Sequence, residues 1–397
     1  MTGWVTAPVR RVFKIVNGGT PTSDSVNWDG NVQWATPVDL GNCDGGMIAT
    51  TLRTLSEEGL RSGSAEVPSG SLIVSTRAPI GYVAQTTAPM AFNQGCKGLA
   101  PTQPVDSRFF RFVFASLNPH LQARGQGSTF VELSADGLGS LPIPLPPLAT
   151  QRAIADYLVS ETARIDALIE KKRRMVELGE ERYRSSVDQK MIEFPAVPLK
   201  SVTKYVEGPG IMAADFHDEG VPLVRISGVR AEVVTLDGCN FLDPIKVAKT
   251  WKHFALQLGD CLISASATMG VVAEVGPEAV GAVPYTGLIR FRPRGNEVWM
   301  PYVKHFLRSL EFMRQIDQLK TGTAIEHYGP THLGDVRIPL PSFARQQELA
   351  AKMDSERKKS RSMAASLQGQ IDLLMERRQA LITAAVTGEL TIPGVAA

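Results

Sequence analysis

Cysteine is scarce in this chain. Cys43, Cys96, Cys239 and Cys261 are scattered, and no two form a CxxC pair. That pattern argues against a zinc ribbon or a disulfide scaffold and fits a reducing cytoplasm. Histidine is also thin: the six are dispersed, with no HExxH and no His/Cys group at metal spacing. No metal centre is expected, and His217, His253 and His327 read first as surface or locally bonded residues. There is no GxxxxGK[ST] loop and no GxGxxG behind a strand, which removes the common phosphate-cradling motifs. Long apolar runs are missing too. The least polar stretch, 270–289, contains Glu274, Pro277, Glu278 and Pro284, so it cannot span a bilayer. The start, MTGWVTAPVRRVF, has no apolar segment behind a basic head and does not read as a secretory leader. The formal net charge of +2 is nearly neutral. Bulk charge therefore announces no nucleic-acid binder, and any such role rests on local features.

What the chain does have is itself, twice. LPIPLPPLATQRAIADYL begins at Leu141, and RIPLPSFARQQELAAKM begins at Arg337. At one constant offset, Ile143 falls on Ile338, Pro144 on Pro339, Pro146 on Pro341 and Gln151 on Gln346. The register extends upstream. PVRRVFKIVNGG from Pro8 matches PLKSVTKYVEGPG from Pro198, pairing Gly18 with Gly208. GSLIVSTRAPIGYVA from Gly70 matches GDCLISASATMGVVA from Gly259, pairing Ser75 with Ser264 and Gly81 with Gly270. A chain of 397 residues exceeds one ordinary core. It reads as two copies of one unit, each a globular head followed by a long helix.

The heads are mixed in secondary structure. Leu72–Val74 and Leu262–Ile263 predict buried strands, each followed by a glycine turn and a second strand. Short helices are expected near Phe109–Leu117 and Tyr302–Leu319. The long helices are clearer. The stretch from Ala149 to about Ile192 has no proline but Ile154, Leu158, Ile165, Leu168 and Met175 at helical spacing. Leu349, Met353, Met363, Leu367, Leu374 and Leu381 repeat the pattern, and the last three keep a strict seven-residue step. Ile169 and Val176 flank the Leu168/Met175 line. Gly388 suits a helix stop. Some forty residues make a rod of roughly 60 Å, longer than a head is wide, so each rod is expected to pack on the other. Connectivity then makes the two antiparallel.

The stretches IPLPPLATQRAIADYL, ETARIDALIEKKRRMVELGEERY and LLMERRQALITAAVTGEL resemble the specificity subunits of Type I restriction–modification systems. The resemblance runs through essentially the whole chain, more loosely in the heads. It implies an α+β fold of two similar mixed α/β target recognition domains joined by two antiparallel helices in a coiled coil. The expected bounds are 1–148 and 196–341 for the heads, and 149–195 and 342–397 for the helices. It further implies no catalytic activity, with each head reading half of an interrupted, asymmetric double-stranded DNA site. Two methyltransferase subunits and motor–nuclease (restriction) subunits would be the partners. S-adenosylmethionine, ATP and Mg would belong to them, with no cofactor on this chain. A coiled-coil scaffold that binds no DNA, an enzyme with an unrecognised site, and the specificity subunit of a methylation-only system remain as alternatives.

Reading bases takes polar side chains presented from loops or strand ends. The first head offers Thr76 and Arg77 in STRAPIG, though a plain hairpin accounts for that loop equally well. It also offers Asn93, Gln94 and Lys97 in NQGCKG, and Arg124, Gln126, Ser128 and Thr129 in ARGQGSTF. The matching positions of the second head are Ser266 and Thr268, then Tyr285, Thr286 and Arg290, then Lys320, Thr321, Thr323 and His327. Arg290 and Arg292 alternate on a predicted strand and read equally as a solvated face.

Overall fold

The computed structural model describes residues 4–43, 45–123, 132–266, 270–319 and 328–392. It divides into two units, residues 1–172 with 369–397, and residues 173–368. The long helices are not units of their own; each contributes one half to each unit.

In the first unit, a five-stranded sheet runs in the order Phe13–Asn17, Cys96–Pro101, Leu72–Ser75, Val83–Thr86, Met47–Ile48. Leu72, Ile73 and Val74 are all fully buried, as expected for a strand covered on both faces. One side carries the helix Ser107–Ser116, whose Phe109, Phe110 and Phe114 pack on Phe13 and the sheet. A four-stranded sheet in the order Thr54–Leu55, Trp28–Ala35, Met90–Phe92, Ala65–Val67 completes the head. Gly18 joins the two regions: a Cβ there would lie 2.0 Å from the Asn93 carbonyl oxygen, so only glycine permits the approach.

The second unit repeats the plan with fewer strands. Its main sheet runs Thr203–Glu207, Leu288–Pro293, Cys261–Ser264, Val272–Glu274, and a second sheet runs Asn240–Leu242, Val221–Val224, Val283–Pro284. Helices Met300–Leu307 and Leu310–Leu319 replace the single one expected over Tyr302–Leu319. Gly208 makes the same approach as Gly18, with a Cβ 2.1 Å from the Pro284 carbonyl oxygen. Where head meets helix, the buried His305 accepts from the Tyr183 hydroxyl at Nδ1 (2.6 Å) and donates from Nε2 to Asp354 (3.0 Å).

The proline-rich junctions form edges of small sheets before they start helices. Pro142–Pro144 pairs antiparallel with Thr6–Pro8, and Arg337–Pro339 with Ala196–Pro198. An edge position tolerates proline because no neighbour needs its missing N–H. The helices Leu148–Met191 and Phe343–Thr387 follow. Gly388 ends the second with φ +76°, the left-handed conformation of a helix stop.

In each unit the two helices run antiparallel. Lys172 bonds Gln370 (2.6 Å) and Asp166 pairs with Arg378 (2.8 Å) in the first unit. In the second, Ser186 and Lys190 both meet Glu356, and Gly179 meets Ser360. The seam differs in phase from the expected one. Ile165, Ile169 and Ile371 form its core in the first unit, flanked by Leu374 and Leu381. Leu168 and Met175 lie outside it, each 47% exposed, whereas Met363 lies against Gly179 of the other helix. Leu367 and Met353 are buried as expected. Ile154 and Leu158 are buried with the first head's core, and Leu349 with the second's. A buried to half-buried line steps by four and three through Leu158, Thr162, Ile165, Ile169, Lys172, Val176, Gly179 and Tyr183, a heptad seam with polar and small members. Following only the largest apolar residues led to the neighbouring line.

Candidate nucleic-acid interface

In the first head, two strand-end loops are brought together. The backbone N–H groups of Thr76 (2.8 Å) and Arg77 (3.2 Å) donate to the Gly95 carbonyl. Asn93 Oδ1 accepts from Gly95 N–H at 3.0 Å, shaping the second loop. Thr76 is buried and bonded back to the protein, so it holds the loops together rather than facing outward. Gln94 is exposed and bonded to the Thr20 hydroxyl. Arg77 donates from Nε to Glu132 at 3.0 Å, and Lys97 lies 3.6 Å from the other oxygen of that carboxylate. Lys97 is largely buried, whereas Arg77 keeps 45 % of its side-chain surface. Arg77 and Gln94 are therefore the candidates that reach solvent from this pair of loops.

The second head uses the same backbone frame with different side chains. Ala265 N–H donates to Gly287 O (2.8 Å), as Thr76 does to Gly95. Ser266 thus stands where Arg77 stands, and Tyr285 and Thr286 stand where Asn93 and Gln94 stand. Thr286 donates to the Pro209 carbonyl at 2.8 Å. Arg290 corrects the expected register. It pairs across the sheet with Val206 as Gly98 pairs with Val16, so Ile289, not Arg290, matches Lys97. A one-residue shift on a strand changes face. Arg290 is buried on its own face of the sheet, donating to the carbonyls of His253, Phe254 and Ala255 at 3.2, 2.9 and 3.2 Å. Burial, then the neighbouring Arg292, pushes its pKa down. Arg292 is clamped by both oxygens of Asp260, so neither arginine forms a solvated face. Arg124, Gln126, Ser128, Thr129, Thr268, Lys320, Thr321, Thr323 and His327 lie outside the described residues.

Three groups escaped the sequence reading. In the first head, the Arg53 guanidinium sits 3.6 Å over the Trp28 ring, which stacks edge-on to Trp34 at 5.1 Å. In the second, Arg225 lies 4.2 Å over Tyr285, held by Asn240 at 3.1 Å. An arginine on an aromatic face is a platform on which a base can stack. The third group is the helical stretch around PIKVAKTWKHF, anchored by the buried Val247 and Trp251. It exposes Lys246, Lys249 and Lys252 at three-residue spacing; Lys246 is paired with Asp215, and Lys249 and Lys252 are cations of the kind that meet a phosphate backbone. Its signal was legible: apolar anchors alternating with lysines every third residue.

Comparison with known proteins finds relatives for part of the chain. Residues 1–178 match the family model of the Type I restriction modification DNA specificity domain. The MjaIX specificity subunit of a Type I restriction enzyme from Methanocaldococcus jannaschii is 32% identical over 181 residues, 45% of this chain and 41% of that protein. The StySPI specificity subunit from Salmonella potsdam is 34% identical over 202 residues, 49% of this chain and 42% of that protein. The aligned part thus spans about two-fifths of these relatives' length. A chain from a solved structure concerned with assembly and conformational transition of the type I R-M system shares the fold. It has a TM-score of 0.70 at 17% identity, covering 98% of this chain and 99% of that one.

Proposed function

We propose, from the likeness of residues 1–178 to the Type I restriction modification DNA specificity domain, that this chain belongs to that family and is the DNA-reading subunit of such a system. Each head reads one part of an interrupted, asymmetric duplex site. The chain performs no catalysis itself. Two methyltransferase subunits dock on it and carry S-adenosylmethionine, and motor–nuclease subunits carry ATP and Mg. The observation that supports this reading is the duplicated head. The same pair of loops, after Ser75 and before Cys96 in one unit, after Ser264 and before Leu288 in the other, is fixed by the same backbone bonds. Their outward side chains differ: Arg77 and Gln94 against Ser266 and Thr286. A constant frame with variable tips suits two readers of two different base sequences.

The test is methylome sequencing of cells expressing this chain with its methyltransferase partner. A single asymmetric motif of two specified parts around an unspecified gap is expected. Methylation at one uninterrupted motif, or a complex that forms and methylates without preference, contradicts the reading.

A further inference from the structure

Where the second head meets the helices, five arginines surround a cleft of about 250 Å³ with only two carboxylates among them. Glu232 lies 2.6 Å from Arg308, 3.0 Å from Arg357 and 3.5 Å from Arg361. Glu180 serves Arg357 and Arg184. Arg230 stands exposed at the rim. Burial raises the pKa of Glu232, but Arg308, Arg357 and Arg361 more than offset it and hold this carboxyl below its ordinary range. The balance inside the cleft is still strongly positive.

Arg308 is the most deeply buried of these arginines. Its side chain is 95% buried, as 5% of its surface remains. Nη2 is used twice, on Glu232 and on the Val272 carbonyl at 2.7 Å. Nη1 has no hydrogen-bond partner of good geometry among the described residues; the Arg308 side chain also lies against the Tyr183 hydroxyl, and the residue lines the cleft. A buried guanidinium nitrogen left unbonded costs free energy unless a ligand completes it. The corresponding place in the first unit is built from different residues to the same effect. There Arg111 and Arg378 share a cleft of about 230 Å³ with Asp166, and the buried Nε atom of Arg111 is again without a hydrogen-bond partner among the described residues.

We propose that the cleft of Arg308, Arg361 and Arg230 binds a phosphate group. A single carboxylate does not neutralise this surplus. Phosphate brings more charge and more acceptor oxygens, and it matches the planar guanidinium fork. Its source is either a nucleic-acid backbone or a free phosphate, and the inference does not rest on sequence-specific reading.

The probe is inorganic phosphate on the full chain, followed by ³¹P line width and by thermal unfolding against sodium chloride of equal ionic strength. Wild type should broaden the phosphate line and unfold about 2–4 °C higher in phosphate. Arg361→Gln and Arg230→Gln alter exposed side chains, so folding should survive. Each should weaken phosphate binding by about tenfold or more. Random-sequence duplex DNA is then added. Release of phosphate by the duplex identifies the backbone as the source, and retention identifies a free phosphate. Poly-glutamate releasing phosphate where DNA does not would overturn the assignment in favour of an acidic protein. No broadening by wild type, or equal broadening by both variants, overturns it outright.

Discussion

Gln151 is the sharpest place to disturb the duplicated junction. It is 2% exposed. Its Oε1 accepts the Asp106 N–H at 2.9 Å, and its Nε2 donates to the Pro146 carbonyl at 2.8 Å. One amide thus ties the start of a head helix to the proline entry of a spacer helix. Gln346 makes the same two bonds, to Trp299 N–H at 2.8 Å and Pro341 O at 3.0 Å. Gln151→Ala strands two buried backbone groups at about 1–3 kcal/mol each, so about 3 kcal/mol in all is expected. For a unit of this size that lowers the unfolding temperature by about 6–12 °C. Gln151→Glu adds a sign test. Its carboxylate still accepts from Asp106 but faces the Pro146 oxygen, so its folded pKa rises. A raised carboxyl pKa means the folded state holds the proton longer, and the defect should shrink as pH falls. Calorimetry of the full chain between pH 5 and 8 reads both effects. A loss under about 0.5 kcal/mol for Gln151→Ala, or a Gln151→Glu defect that deepens as pH falls, refutes the reasoning.

The phase of the seam predicts a contrast between neighbours: Ile169→Ala should cost about 2–4 kcal/mol in denaturant unfolding, while Leu168→Ala should stay within about 1 kcal/mol. An equal cost contradicts the observed seam. Lys249→Glu with Lys252→Glu should weaken specific and random duplexes alike and make the log K against log salt slope shallower by about 2; loss confined to the specific duplex contradicts a backbone role. Burial holds the His305 pKa below the ordinary histidine range, against the pull of Asp354, so the folded second unit takes up this proton later than the unfolded chain. Its stability is complete above pH about 6.5 and should fall as pH drops through that value, with a further fall at lower pH as Glu232, held below the ordinary glutamate range, protonates. An unfolding temperature that rises between pH 7 and 5.5 contradicts this.

The repeat made much of the fold legible. Gln151 and Gln346, Gly18 and Gly208, Ser75 and Ser264 each occupy equivalent places because backbone geometry demands the same residue twice. Helix starts came within a residue, and Gly388 marked the second stop, because proline and glycine punctuation and apolar spacing agree there. The seam misled because Lys172 and Gly179 belong to it while Leu168 and Met175 do not. Packing partners, not side-chain size, decide the phase. The site was harder to read. Thr76, Lys97 and Arg290 carry the right chemistry, but the structure uses them internally, and only three-dimensional partners such as Glu132 and the Phe254 carbonyl reveal that. Arg53 over Trp28 is set by residues twenty-five apart in sequence, so no local pattern announces it.

Exchange of one head tests the central claim most directly. Residues 1–147 are replaced by the corresponding head of a relative with a different target, leaving both helices and the second head intact. The hybrid is expressed with its methyltransferase partner and its methylome is mapped. One part of the motif should change to that of the donor, while the other part and the gap stay as they were. If both parts change together, or if neither does in an active hybrid, the heads do not read independently and the account is wrong.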